Sequence, residues 1–203
     1  LTPEQVAFDP ASLENYGQDW TRFSTPAPTA IVFPQDTADV VAVVECARRC
    51  RFALVPSGGR TGLSGGACAA NGEFVVSMDK INAISAVNLT DRTLTVGAGA
   101  ITQNIQQAAI EAGLFHPVDF ASSDSSQIGG NIATNAGGII VIRYGMTREW
   151  VTGLTVVTGK GEVLELNRGL MKNNTGLDFR HLFIGSEGII GFITEATLKL
   201  TTP

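Results

Sequence analysis

Apolar residues along this chain fall in short runs divided by glycine-, serine- and asparagine-rich connections, and their spacing alternates between strand and helix periods. Residues 29–33 read as a short buried strand. Asp36 or Thr37 is placed to cap a helix carrying Val40, Val41, Val44 and Ala47 on one face. Ala53-Leu54-Val55 reads as a second strand, and this strand–helix–strand order predicts a parallel unit whose last strand runs into a glycine loop, where α/β sheets bind ligands. Residues 74–78 form another strand in this reading. Residues 84–87 and 93–96 then form an antiparallel hairpin across the turn 88–92. Ile101, Ile105, Ala108 and Ala112 make a helical stripe that Gly113 can end. Residues 154–157 and 163–166 pair across Gly159-Lys160-Gly161. Ala196, Leu198 and Leu200 alternate with Thr197 and Lys199, which predicts a closing strand with one wet face. The pattern is that of an α+β chain in two lobes: a small parallel βαβ lobe over 28–80 and a mixed, mostly antiparallel lobe with helices over 81–203. Residues 1–27 read as an N-terminal extension.

Two glycine-rich segments interrupt the pattern. The first is Pro56-Ser57-Gly58-Gly59-Arg60-Thr61-Gly62 and its tail to Gly66; the second runs from Gln127 through Gly129-Gly130-Asn131 to Gly138. Glycine lets successive N–H groups turn toward one point and lets a ligand approach the backbone closely. The first loop adds the hydroxyls of Ser57 and Thr61 and one cation, Arg60, a donor density that suits a buried pyrophosphate. In the second, Gly129-Gly130-Asn131 reads as a turn into a short helix over 131–135. Its N-terminus would add further donors, with Thr134 and Asn135 near a ring or phosphate edge. The plainer alternatives are a solvated loop charge for Arg60 and a helix-ending role for Asn135 ahead of Gly137-Gly138. Neither segment has the G-x-G-x-x-G spacing of dinucleotide folds or the G-K-[ST] ending of phosphate loops, which excludes the usual NAD and ATP readings.

Bulk properties narrow the partners. The chain has 203 residues and a formal net charge of −5, which argues against a nucleic-acid partner. Charged residues make up 16% of the chain, against about 25% in typical soluble domains. Either glycine and alanine dilute the charges, or a cofactor and another domain cover part of the surface. The apolar runs 40–44 and 139–142 fall far short of the roughly 18 residues needed to span a bilayer. The N-terminus, with Glu4, Asp9 and Glu14, lacks the pattern of a signal peptide. Cys46, Cys50 and Cys68 form neither a disulfide framework nor a metal spacing, so buried thiols in a reducing, cytoplasmic compartment are expected. The chain begins at Leu1 and stops at Pro203 directly after an apparent strand, which reads as a piece of a longer protein.

The first loop resembles the pyrophosphate loop of the vanillyl-alcohol-oxidase-type (PCMH-type) FAD-binding domain. Residues 128–138 followed by Arg143-Tyr144-Gly145 are similar to its second flavin-contacting segment. The run Ile184-Gly185-Ser186-Glu187-Gly188-Ile189-Ile190-Gly191-Phe192-Ile193-Thr194-Glu195-Ala196 looks like its closing segment, with Ile189-Ile190 where relatives often carry Thr-Leu. Lys172-Asn173-Asn174-Thr175-Gly176-Leu177-Asp178 and Pro117-Val118-Asp119 look most like the glycolate oxidase D-subunit and D-2-hydroxyglutarate dehydrogenase branch. The resemblance implies a two-lobed FAD-binding fold over 28–203, with Pro56 and residues 57–62 at the pyrophosphate. It implies flavin or ribityl contacts for Pro117, Gly129, Gly130, Asn131, Thr134, Asn135, Ala136, Gly137, Tyr144 and Gly145. Gly188, Ile189, Gly191 and Ile193 would hold the adenosine end or flank the flavin.

Relatives that bind FAD covalently use a His in the first loop. This chain offers Arg60 there, and its histidines are His116 and His181, so non-covalent FAD is expected. The resemblance also implies that the substrate-binding basic residues and the base lie in a carboxyl-terminal cap domain outside this chain. His116 as a base and Arg143 as a carboxylate anchor are the local alternatives, each set against a structural role; no catalytic residue and no metal site is assigned. The functional expectation is the FAD-binding portion of an oxidoreductase acting on a small D-2-hydroxy acid, with an undetermined electron acceptor. Two other classes stay open, a flavin-carrying module without chemistry of its own and a UDP-sugar enolpyruvate reductase-type enzyme.

Overall fold

The computed structural model describes residues 1–21 and 23–203. Two four-stranded sheets form its frame. The first contains β1 (Val6–Ala7), β2 (Ala30–Val32), β3 (Leu54–Ser57) and β4 (Phe74–Ser77) in the order β1-β2-β4-β3. Strand β4 runs parallel to both β2 and β3, and β1 is antiparallel at the edge. All three residues of β2 are buried, as expected of a parallel strand covered on both faces. Helix α2 (Thr37–Cys50) lies on one face. Its N-cap Asp36 accepts from Asp39 N at 2.9 Å, and the inward residues are Val40, Val43, Val44 and Ala47. The helical face is therefore rotated slightly from the one expected: Val43 is buried and Val41 only half-buried.

The opposite face of this sheet is covered by the N-terminal stretch. Helix α1 (Pro10–Tyr16) brings Leu13 and Tyr16 against Ile31, Ala69 and Val75. Residues read from the sequence as an extension thus supply an edge strand and a packing layer to the first lobe. A two-residue strand and a seven-residue helix carry too little periodicity to announce this.

The second sheet has the order β5-β8-β6-β7, all antiparallel: β5 (Thr93–Gly97), β6 (Val151–Thr158), β7 (Val163–Leu166) and β8 (Gly191–Lys199). The β6–β7 hairpin pairs Leu154 with Leu166 and Val157 with Val163, as expected. The hairpin expected ahead of β5 is reduced to isolated bridges, Ile84 with Val96 and Asn88 with Thr93. Backbone hydrogen bonds from Gly97 N to Ala83 O and from Gly99 N to Ile81 O tie the segment down without a full ladder. Helix α3 (Thr102–Glu111) buries Ile105 and Ala109, and Gly113 at φ +71° ends it. Further helices are α4 (Ile128–Ala133), α5 (Val141–Tyr144) and α6 (Arg180–Phe183).

One hydrophobic core joins the lobes: Val32, Val44 and Val76 of the first pack with Val96, Ile105, Ile132, Val156 and Leu198 of the second. The cysteines are free but not buried as expected, because Cys46 and Cys68 are half-buried and Cys50 is exposed at the end of α2. Among the described residues no helix is long and apolar enough to cross a membrane.

Candidate functional site

The first glycine loop leaves the end of β3, where Ser57 pairs in register with Ser77 and its carbonyl accepts from Met78 N at 2.9 Å. It meets the start of α4 directly. A Cβ at Gly58 would sit 3.5 Å from Gln127 Oε1 and 3.8 Å from Gly130 N. One at Gly59 would sit 2.2 Å from the Ser125 carbonyl oxygen. The two glycine segments are therefore in contact, and only a residue without a side chain fits at Gly59.

Helix α4 begins three residues earlier than the sequence suggested, with extended Gln127 as its N-cap, so the glycine pair lies inside its first turn. The reason is packing. Gly129 N donates to Ala98 O at 2.8 Å, and a Cβ there would meet Ala98 Cβ at 2.7 Å. Gly130 is exposed, and nothing stands within 4 Å of its absent Cβ. Six residues are too few for much of a macrodipole, so what α4 brings is backbone at close range.

The closing segment completes the wall. Glu187 N donates to Ala133 O at 2.8 Å, and Gly188, at φ +80°, presses on Pro56, whose Cγ would be 2.4 Å from a Cβ at 188. Gly191 opens β8 with Val157 O 2.6 Å from its absent Cβ, followed by nearly buried Phe192 and Ile193. These three segments and Asp19 enclose a cleft of about 330 Å³.

Pro56, Ser57, Gly58, Gly59, Arg60, Thr61 and Gly62 line this cleft from one side, and Gly129, Gly130, Asn131 and Thr134 from another. Gly188, Gly191 and Ile193 supply the third wall. Asn131 offers backbone, since its amide turns inward to donate to Thr102 Oγ1 at 2.7 Å. Thr134 Oγ1 is bonded to Gly130 O at 2.9 Å.

The remaining residues expected at the flavin lie outside the cleft. Asn135, at φ +49°, ends α4 in the left-handed conformation, and its Oδ1 accepts from Arg148 N at 3.0 Å. The Ala136 carbonyl accepts from Thr147 N and Oγ1. Gly137 packs on Val141, and a Cβ at Gly145 would meet the Glu149 carboxylate. Tyr144 stacks edge-on with Phe115 and Trp150, and Pro117 is buried. Ile189 is 85% exposed on an adjoining groove. Together residues 135–150 form a folded shelf that begins where α4 ends.

Three contributors went unassigned from the sequence. Asp19, 4% exposed, accepts from Gly65 N at 2.8 Å, from Thr21 and from Cys68, while Trp20 N donates to Gly62 O at 3.2 Å. Burial pushes the Asp19 carboxyl up, but the donated hydrogen bonds outweigh it and hold the group below the usual range. Gln127 opens the second motif with no role its sequence position assigns, and Asp79 follows β4 as an unremarkable loop acid. No local pattern marks any of the three, because each reaches the site through tertiary contact.

The donor set fits a dinucleotide. Ser57 Oγ and Gln127 Oε1, both on residues lining the cleft, are buried polar atoms without a partner. Such atoms are costly unless a ligand or water completes them. Met78, Ala133, Phe192 and Ile193 give the same cleft an apolar side suited to a flat ring. Neither His116 nor His181 lines it. His116 is fully buried with both ring nitrogens unpartnered, and His181 is held between Arg148 and Asp178. Arg143 lies over the Tyr144 ring at 4.9 Å and makes no ion pair among the described residues.

Two lobes meeting at paired glycine loops, with a closing glycine segment as third wall, define a dinucleotide-binding domain of the FAD type. Residues 28–167 match the family model described as "FAD binding domain", and the chain belongs to that family. It is 61% identical over 195 residues to D-2-hydroxyglutarate dehydrogenase of Xanthomonas citri pv. viticola, covering 96% of this chain and 41% of that protein. The protein of the same name from Stutzerimonas stutzeri is 59% identical, with 98% and 43% covered. Glycolate oxidase subunit GlcD of Bacillus subtilis is 37% identical over 91% of this chain and 39% of its own length. The chain thus spans about two fifths of these curated relatives. Among solved structures, alkyldihydroxyacetonephosphate synthase superposes with TM-score 0.86 at 25% identity, over 100% of this chain and 39% of that one. Physcomitrella patens BBE-like 1 superposes with TM-score 0.80 at 24% identity, over 97% and 42%, a likeness of fold.

Proposed function

We propose that this chain is the FAD-binding part of a flavin-dependent dehydrogenase that oxidises a D-2-hydroxy acid, with D-2-hydroxyglutarate the first candidate and D-lactate and glycolate next. The observation that carries the reading is the cleft between the two glycine loops, in a chain about 60% identical to two proteins named for that activity. Residues 57–62 hold the pyrophosphate through backbone N–H groups and the Ser57 hydroxyl. Gly130 allows close approach from the facing side, and Gly188, Gly191 and Ile193 bound the adenosine end. The shelf 135–150 backs the flavin end. Bound FAD supplies the acceptor for hydride from the substrate's carbinol carbon.

FAD is held without a covalent bond, since the first loop presents Arg60 where a His would be needed. The base and the substrate-carboxylate anchors belong to the part of the protein beyond this chain. Exposed apolar side chains on the shelf and its neighbour, Ile139 and Ile142 among them, are the surface that part covers.

The test uses the longer protein containing this domain, purified with FAD and mixed anaerobically with each acid. Loss of the visible flavin absorbance with D-2-hydroxyglutarate is the expected result. Failure of all three acids to bleach the flavin overturns the substrate class, and reduction by NADPH in their place would point to the reductase type of enzyme.

A further inference from the structure

Beneath the first glycine loop runs a set of polar contacts that no binding motif includes. Arg60 stands in the left-handed region at φ +58°, a conformation that a residue with a Cβ keeps only where its surroundings over-determine it. Its guanidinium lies over the Tyr16 ring at 4.2 Å, donates from Nη1 to Gly58 O at 2.9 Å, and stands 3.9 Å from Asp79 Oδ1. Asp79 is the hub. Its Oδ2 accepts from the Tyr16 hydroxyl at 2.6 Å, and its Oδ1 accepts from Gln127 Nε2 at 2.7 Å.

Three segments converge on that carboxylate: the end of α1, the first loop and the N-cap of α4. An ionised carboxylate only accepts hydrogen bonds, so the Gln127 amide must give it Nε2. Its Oε1 is thereby aimed toward Gly58, where it has no partner. Burial and the Asp79 acceptor push the Tyr16 hydroxyl up to about 12, so it stays a donor at any ordinary pH.

We propose that Tyr16, Asp79 and Gln127 are positioning residues for the dinucleotide, forming with Arg60 a latch that holds the two glycine loops at the spacing the pyrophosphate needs. The inference rests on the FAD reading above. Within it, Arg60 acts through the shape of the loop: its planar group is already committed to a ring face, a carbonyl and a carboxylate. The N-terminal helix, remote in sequence from every glycine motif, becomes part of the cofactor site through one phenol.

The experiment is a titration of the FAD-free protein by flavin fluorescence, with urea midpoints recorded for each variant. Tyr16→Phe removes one hydroxyl and Asp79→Asn one charge. Each is expected to weaken FAD binding about tenfold, the range of a hydrogen bond to a charged group, and the double variant to bind no worse than the weaker single. Arg60→Lys should bind as poorly as Arg60→Ala, because an ammonium supplies neither the flat face nor the fork. If Tyr16→Phe binds FAD like the wild type while Arg60→Lys regains what Arg60→Ala loses, Arg60 is a direct counter-charge and the latch is refuted. A lowered urea midpoint with unchanged FAD affinity would make the contacts merely structural and likewise refute it. Absence of FAD binding by the wild type removes the underlying FAD reading itself, an outcome distinct from failure of the variants.

Discussion

Gly59 and Gly66 belong to the same loop and look alike in the sequence, yet they answer to different constraints. A Cβ at Gly59 would collide with the Ser125 carbonyl oxygen at 2.2 Å, whereas nothing lies within 4 Å of one at Gly66. Gly59→Ala must push the glycine segments apart, at an overpacking cost of about 1–3 kcal/mol, and should abolish measurable FAD binding in a fluorescence titration. Gly66→Ala should leave stability unchanged, read as an unshifted urea midpoint. His116 supplies a second residue-scale prediction. Burial lowers its pKa from 6.5 to about 4, so the folded chain refuses a proton that the unfolded chain takes up. Stability is therefore intact above the unfolded-state value and falls as pH drops from 6.5 toward 4. The slope from this one group is about 1.4 kcal/mol per pH unit. Urea midpoints of wild type and His116→Leu, compared at pH 7 and pH 5, should show the variant losing less. Equal losses would mean that His116 is not buried neutral.

At the scale of elements, periodicity succeeded where a face is long enough to repeat. Helix α2 and the β6–β7 hairpin were legible because their apolar positions recur over several turns or pairs. Of Asp36 and Thr37, the structure selects Asp36 as the cap through the bond from Asp39 N. Asp36→Ala should lower stability by about 1 kcal/mol, read as a shift in urea midpoint at constant slope. The short elements were illegible for an equally physical reason. Helix α4 contains two glycines and one polar asparagine in six residues, so propensity argues against a helix there. The close fit of Gly129 on Ala98 overrides it. The segment at Ile84 has strand composition but only isolated bridges.

At the scale of the molecule, the lobes share one core, and the cleft is the seam where their glycine loops meet. Two predictions belong here. Precipitating the FAD-loaded protein with acid should release all of the flavin into the supernatant, since neither histidine lines the cleft; colour retained in the pellet would disprove non-covalent binding. The chain of 203 residues should also bind FAD without oxidising any 2-hydroxy acid. Turnover by this chain alone would place the base among its own residues.

The sequence by itself determined the chemistry of the loops: which backbone can turn its N–H groups inward, which spacings rule out NAD and ATP, and the order of three FAD-type motifs. That information is local, carried by residue type and separation. Only the tertiary structure decided that Asn131 faces the core, that Asn135 ends a helix, that Asp19 and Gln127 line the cleft, and that Tyr16, Asp79 and Gln127 meet under the first loop. Those residues are brought together by the packing of α1 under the first sheet and of α4 on Ala98. Neither contact leaves a periodic trace in the chain, because each depends on surfaces far apart in sequence meeting at van der Waals distance.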